Sequence, residues 1–224
     1  TKAVCLICNT EATNKVPDTP YWNCTGCGLW FQYPLPPKLY HGINELAADG
    51  SNLQPMPEDD KDINRSLALW LFKDIMNAIP GPMLDVGSKY PYLAYCLKNL
   101  GCEVIGLDNM PAVPAYSAEL GVSMLMGDFE QMALTDFPDA GKYKLITMVH
   151  VFEHMYNPLE VLRKLRQLIA DDGVVYWRLP DHAVPGYERD LTPHHYSIHP
   201  YFHSFSNLLE LLVRGKNLFT IQQY

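Results

Sequence analysis

Four cysteines stand before residue 28, as Cys5, Cys8, Cys24 and Cys27, in two C-x-x-C pairs separated by fifteen residues. Each pair puts two sulfurs on one tight turn, and two such turns facing each other close a tetrahedral shell of thiolates around zinc. Gly26 and Gly28 give the second turn its backbone freedom. Four thiolates leave no position for water, so the Zn2+ expected here is structural and folds its segment without doing chemistry. A pair of disulfides would call for a secretory signal, and TKAVCLICNT lacks the long apolar core of one. A redox C-x-x-C would call for a thioredoxin-like strand and helix around it.

A second set lies in residues 146 to 158, ITMVHVFEHMYNP, where His150, Glu153 and His154 spell H-x-x-E-H, the pattern of one class of zinc peptidase. That chemistry needs both histidines on one helical turn. Here KLITMVH reads as a continuous apolar strand and a helix begins only at Asn157-Pro158, so His150 falls at a strand end and His154 in the loop beyond it. An imidazole titrating near neutrality suits a general base instead, and His154 is the best candidate, with Glu153 orienting it or holding a substrate hydroxyl. His182, His194, His195, His199 and His203 crowd DHAVPGYERDLTPHHYSIHPYFHS, which reads as a substrate lid. His195 is the third catalytic candidate, whereas His199 and His203 read more simply as packing or capping residues. A divalent metal shared by His150, Glu153, His154 and His195 is a further arrangement open to these side chains.

The elements that must position these groups alternate. From Asp62 a helix places Leu67, Trp70, Leu71 and Ile75 mostly on one face, and Pro80-Gly81-Pro82 stops it. Short apolar runs follow at 83 to 87, 103 to 108, 122 to 126, 144 to 150, 174 to 180 and 218 to 224. Helices are expected between them at about 91 to 100, 111 to 120, 157 to 170 and 204 to 214, the third capped by Asn157, opened by Pro158 and left at Gly173. Such alternation predicts an α/β fold, a Rossmann-like doubly wound and mostly parallel sheet with helices on both faces. Ligands then bind beyond the carboxyl ends of the strands. Those ends carry Asp85 and Gly87, Asp108, Gly127 and Asp128, His150, and Asp181 with His182.

Ahead of this body, YPLPPKLYHG is proline-rich and extended, and ADGSNLQPMPEDDKD is polar and turn-rich. Residues 1–40 are therefore expected to form a zinc ribbon, 41–61 a linker or flap, and 62–224 the main domain. A net charge of -8 disfavours nucleic acid as a partner. No apolar run approaches the roughly 20 residues of a membrane span, so a cytoplasmic protein is expected.

From residue 62 onward the sequence resembles the class I S-adenosylmethionine-dependent methyltransferases. LDVGS is similar to the family's first motif, which places Asp85 and Gly87 near the amino acid moiety of S-adenosylmethionine. VIGLDNM resembles the second, so Asp108 is expected on the ribose hydroxyls with Asn109 and Met110 beside it. A carboxylate at the end of the second strand suits a vicinal diol on physical grounds as well. GDFEQ resembles the third motif, with Asp128 near the adenine amino group and Phe129 against its ring. KLITMVHVFEHMYNP resembles the fourth region and brings His150 to the cofactor side. Two departures stand out. The usual G-x-G-x-G turn here runs Gly87-Ser88-Lys89-Tyr90-Pro91, and the chain ends before the antiparallel strand that the family adds last.

Methyl transfer is an in-line displacement that depends on positioning, helped by a base where the acceptor carries a proton. Together with the cysteine module, the core resembles the sugar C-methyltransferases, which implies a small acceptor such as a sugar or another hydroxylated metabolite. An RNA or protein methyltransferase using the zinc ribbon for recognition, and a non-catalytic binding protein on the same fold, are the alternatives.

Overall fold

The computed structural model describes residues 3–12, 14–38, 56–185, 187, 191 and 198–214. It divides into two compact units. The first comprises Thr1–Leu39, His150–Arg163 and Arg178–Tyr224, and the second Tyr40–Val149 and Lys164–Trp177.

In the first unit β1 (Ala3–Val4) and β2 (Glu11–Ala12) form an antiparallel pair. β3 (Asn14–Lys15), β4 (Tyr21–Asn23) and β5 (Trp30–Gln32) follow as an antiparallel meander. The strands are short, and their apolar support is Val16, Tyr21 and Phe202.

The second unit opens with α1 (Glu58–Leu71), four residues before the position expected from the apolar periodicity. Pro57 precedes it, and Glu58, Asp59 and Asp60 occupy its first turn, where carboxylates complement the helix dipole. The polar stretch read as linker thus contributes the helix start. After a π turn (Phe72–Met76) come β6 (Met83–Val86), α2 (Tyr92–Asn99), β7 (Val104–Asp108), α3 (Val113–Leu120), β8 (Ser123–Met126) and β9 (Tyr143–Val149). α4 (Pro158–Leu168) then leads into β10 (Ile169–Arg178).

The five strands make a parallel sheet in the order β10-β9-β6-β7-β8. The order reverses beside β6, which leaves the crevice at the carboxyl ends of β6, β7 and β9 as the natural ligand position. Ala68, Leu71, Ile75, Leu93 and Leu97 of the first helices pack with Met83 and Leu145 as the core.

Gly173 was expected to end α4 but lies inside β10. A Cβ there would meet the Tyr143 carbonyl oxygen at 2.7 Å, so the glycine serves close strand approach rather than helix exit. Back in the first unit, β11 (Tyr201–Phe202) adds antiparallel to β5, so a strand from far along the chain completes the N-terminal sheet. α5 (Phe205–Arg214) follows, and the strand expected at 218 to 224 lies outside the described residues.

Candidate functional site

β6 is buried along its whole length, so a carboxylate on it must find its donors inside the protein. Asp85 does: Oδ2 accepts from Ser88 Oγ and Oδ1 from Thr147 Oγ1, each at 2.6 Å. Burial pushes its carboxyl above the ordinary range, and the two hydroxyls pull it back. Both oxygens are thus engaged by protein hydroxyls, and the carboxylate braces the turn that follows β6.

In that turn Gly87 has φ 72° and Lys89 has φ 33°. The amides of Gly87 and Ser88 donate to the Leu107 carbonyl at 2.7 and 3.0 Å. The Lys89 amide donates to Asp108 Oδ2 at 2.7 Å, and the Met110 amide to Oδ1 at 2.8 Å. A side-chain-bearing residue held at positive φ is strained, and here the strain aims an amide at a carboxylate. Burial raises the Asp108 carboxyl, while the amides of Lys89, Met110 and Asn109 lower it. An ionised carboxylate offers about four acceptor positions, so with three amides engaged capacity remains for a ribose hydroxyl. That fits the ribose of an adenosyl cofactor, and the φ of Gly87 is one that glycine adopts without strain.

Met110 brings its amide rather than its side chain, which packs with Ala112 and Val113, and Asn109 is half-buried. Asp128 Oδ1 accepts the Glu130 amide at 3.0 Å, the geometry of a turn residue. Phe129 is 3% exposed, and its ring meets Phe137 edge-on at 5.9 Å.

In the first unit the chain leaves β9 into His150, which has φ 55° and donates its amide to the Arg178 carbonyl at 2.7 Å. Its Nδ1 lies 3.4 Å from Oε1 of the buried Glu153. Glu153 Oε2 has no hydrogen-bond partner among the described residues. A 3-10 turn (Phe152–His154) carries His154, so the two histidines do not share an α-helix and the peptidase arrangement is absent. His154 Nδ1 lies 3.1 Å from the Ile198 carbonyl oxygen. Because a carbonyl can only accept, Nδ1 carries the proton and Nε2 is the basic nitrogen. The Ile198 carbonyl thus helps to orient this ring. Ligand atoms of Glu153, His154 and His199 fall within 4.8 Å of one another, a set able to hold a cation. His199 stands there in place of His150 and His195, and His195 lies outside the described residues.

The four cysteine sulfurs also converge within 4.8 Å, with Cys5 and Cys27 3.8 Å apart and Cys8 and Cys24 3.3 Å apart. Sulfurs of a tetrahedral zinc shell lie about 3.8 Å apart, so the donors fit the ion. The hydrogen bond from Cys27 lowers the Cys5 thiol to about 5 and raises Cys27 correspondingly. Gly26 is needed for closeness: a Cβ on it would lie 2.4 Å from Thr10 Oγ1.

Sequence reasoning missed Thr147 and the brace it forms with Ser88. The available signal was a lone hydroxyl inside the apolar run KLITMVH.

Residues 43–214 match the family model described as a methyltransferase domain. The chain belongs to the class I S-adenosylmethionine-dependent methyltransferase family. The chain is 25% identical over 115 residues to a ubiquinone biosynthesis O-methyltransferase of Actinobacillus pleuropneumoniae, covering 47% of the chain and 48% of the relative. It is 24% identical over 143 residues to the protein of that name from Cereibacter sphaeroides, covering 62% and 53%. The chain therefore spans about half the length of the curated relatives it matches. Among solved structures, a methyltransferase of Thermotoga maritima aligns with TM-score 0.52 at 17% identity over 70% of this chain and 74% of that one. Coclaurine N-methyltransferase bound to N-methylheliamine and S-adenosylhomocysteine aligns with TM-score 0.52 at 16% identity, covering 78% and 54%. At these identities the likeness shows the fold. No helix among the described residues is long and apolar enough to cross a membrane.

Proposed function

We propose that the protein transfers a methyl group from S-adenosylmethionine to a hydroxyl of a small molecule, such as a sugar or another hydroxylated metabolite. The observation that carries this reading is Asp108 at the end of β7, held by the Lys89 and Met110 amides with acceptor capacity left over. The two curated relatives described above are named O-methyltransferases, which supports an oxygen acceptor. The presence of the cysteine module in the same chain is what favours a sugar.

When bound, S-adenosylmethionine supplies an electrophilic methyl group on a sulfonium, which departs as a neutral thioether. Asp108 grips the ribose hydroxyls, and the Gly87 turn, braced through Asp85, keeps the backbone where the amino acid end lies. Asp128 reads the adenine. His154 Nε2 takes the acceptor's proton as the new O–C bond forms, a task worth roughly 10²–10⁴-fold. Cys5, Cys8, Cys24 and Cys27 hold one zinc ion with a closed shell, so that metal folds its module and leaves the reaction alone.

The test is an acceptor panel of sugars, nucleotide-linked sugars and phenols with labelled cofactor, read by mass spectrometry for the wild type and His154→Ala. The reading expects label on a hydroxyl and at least a hundredfold fall in kcat for the variant with cofactor affinity kept. Label transferred only to RNA or protein would replace it.

A further inference from the structure

The loop that leaves β8 has no regular hydrogen-bonded ladder to fix it, yet it begins at Asp128. Its backbone turns twice, with the Gln131 and Met132 amides both donating to the Asp128 carbonyl at 2.9 and 3.0 Å. Such a turn leaves its later carbonyls pointing outward. Lys164 of α4 collects them. Its Nζ donates to the carbonyl oxygens of Phe129 at 2.7 Å, Glu130 at 3.0 Å and Met132 at 2.7 Å. An ammonium has three N–H donors, and all three are used on one short segment. The charge also sits 5.4 Å from the centroid of the Phe129 ring, over its face. The lysine is half-buried, where charge-assisted bonds are stronger than at an open surface.

We propose that Lys164 is a positioning residue for the adenine end of the cofactor, because its ammonium clamps three carbonyls of the loop that carries Asp128. The inference rests on the cofactor reading above. It assigns Lys164 a task that acts through the loop it holds. The Asp128 side chain itself accepts the Glu130 amide within the same loop, so holding the loop holds the carboxylate. A planar guanidinium cannot aim three N–H groups at converging carbonyls, so arginine is a poor replacement.

The test is calorimetric titration of the wild type, Lys164→Met and Lys164→Gln with S-adenosylhomocysteine and with its inosine analogue, in which a carbonyl replaces the adenine amino group. Thermal unfolding of each protein is recorded alongside. The wild type should prefer the adenine compound. Each variant that stays folded should lose on the order of tenfold of that preference, while kcat at saturating cofactor is unchanged. A general packing role would lower affinity for both compounds alike. A preference kept intact in either folded variant overturns the inference and leaves the cofactor reading standing. A wild type that binds neither compound overturns both.

Discussion

Lys89 gives its backbone amide to the Asp108 carboxylate at 2.7 Å while its own φ is held at 33°. The residue stands where the family's turn commonly has glycine, so its backbone and not its side chain is the part in use. Lys89→Gly should therefore keep cofactor affinity within about threefold, since relief of roughly 1 kcal/mol of strain is offset by lost chain entropy. Lys89→Pro removes the amide and forbids the positive φ, and should abolish measurable binding. Calorimetry on the two variants decides it, and equal losses in both would assign the role to the ammonium.

Asp85 is braced by Ser88 and Thr147 from two different segments. Thr147→Val should leave one buried carboxylate oxygen without a donor and cost about 1–3 kcal/mol of unfolding free energy. Gly106→Ala should act on the other side, because its Cβ would lie 2.7 Å from Ser88 Oγ. Urea unfolding and cofactor titration should both register the loss. Stability untouched in Thr147→Val would mean the brace is not formed.

The four converging cysteines predict one tightly held zinc ion per chain. Mass spectrometry under native conditions should show it, and Cys24→Ser should lose it together with protection of the β3–β5 amides in hydrogen exchange. Full protection without metal would contradict a structural zinc.

His203 is fully buried, and desolvation lowers it from 6.5 to about 4. Its Nδ1 meets Asn207 Oδ1 at 3.1 Å, and its Nε2 has no partner among the described residues. The unfolded chain binds a proton here between about pH 6.5 and 4 where the folded one does not, so this group's stabilisation is present above that window and is lost as pH falls through it. The full loss is about 3 kcal/mol. Unfolding midpoints measured at pH 7.5 and 4.5 should converge less for the wild type than for His203→Gln, which removes the titration and leaves contributions common to both. Parallel pH profiles would contradict the shift.

Much of this was legible in the sequence because it rests on local signals. Alternating apolar runs fixed β6 to β9 to within a residue or two, and the strand-end acids fell where the runs stop. What escaped was long-range. Nothing near Tyr201 announces that β11 pairs with β5, because a two-residue strand carries no periodicity. The edge-on packing of Phe129 on Phe137 was likewise set by tertiary contacts. Gly173 looked like a helix exit because glycine serves both that role and close strand approach. That His154 Nδ1 would meet the Ile198 carbonyl, far along the chain, had no local signal either.

The central claim is that Asp108 is the cofactor's ribose ligand on a methyltransferase core. Calorimetry with S-adenosylhomocysteine tests it most directly, using the wild type and Asp108→Ala. One site of micromolar affinity in the wild type and a loss of at least about a hundredfold in the variant, roughly two charge-assisted hydrogen bonds' worth, is the expected result. No binding by the folded wild type, or equal affinity in the two proteins, would contradict the account.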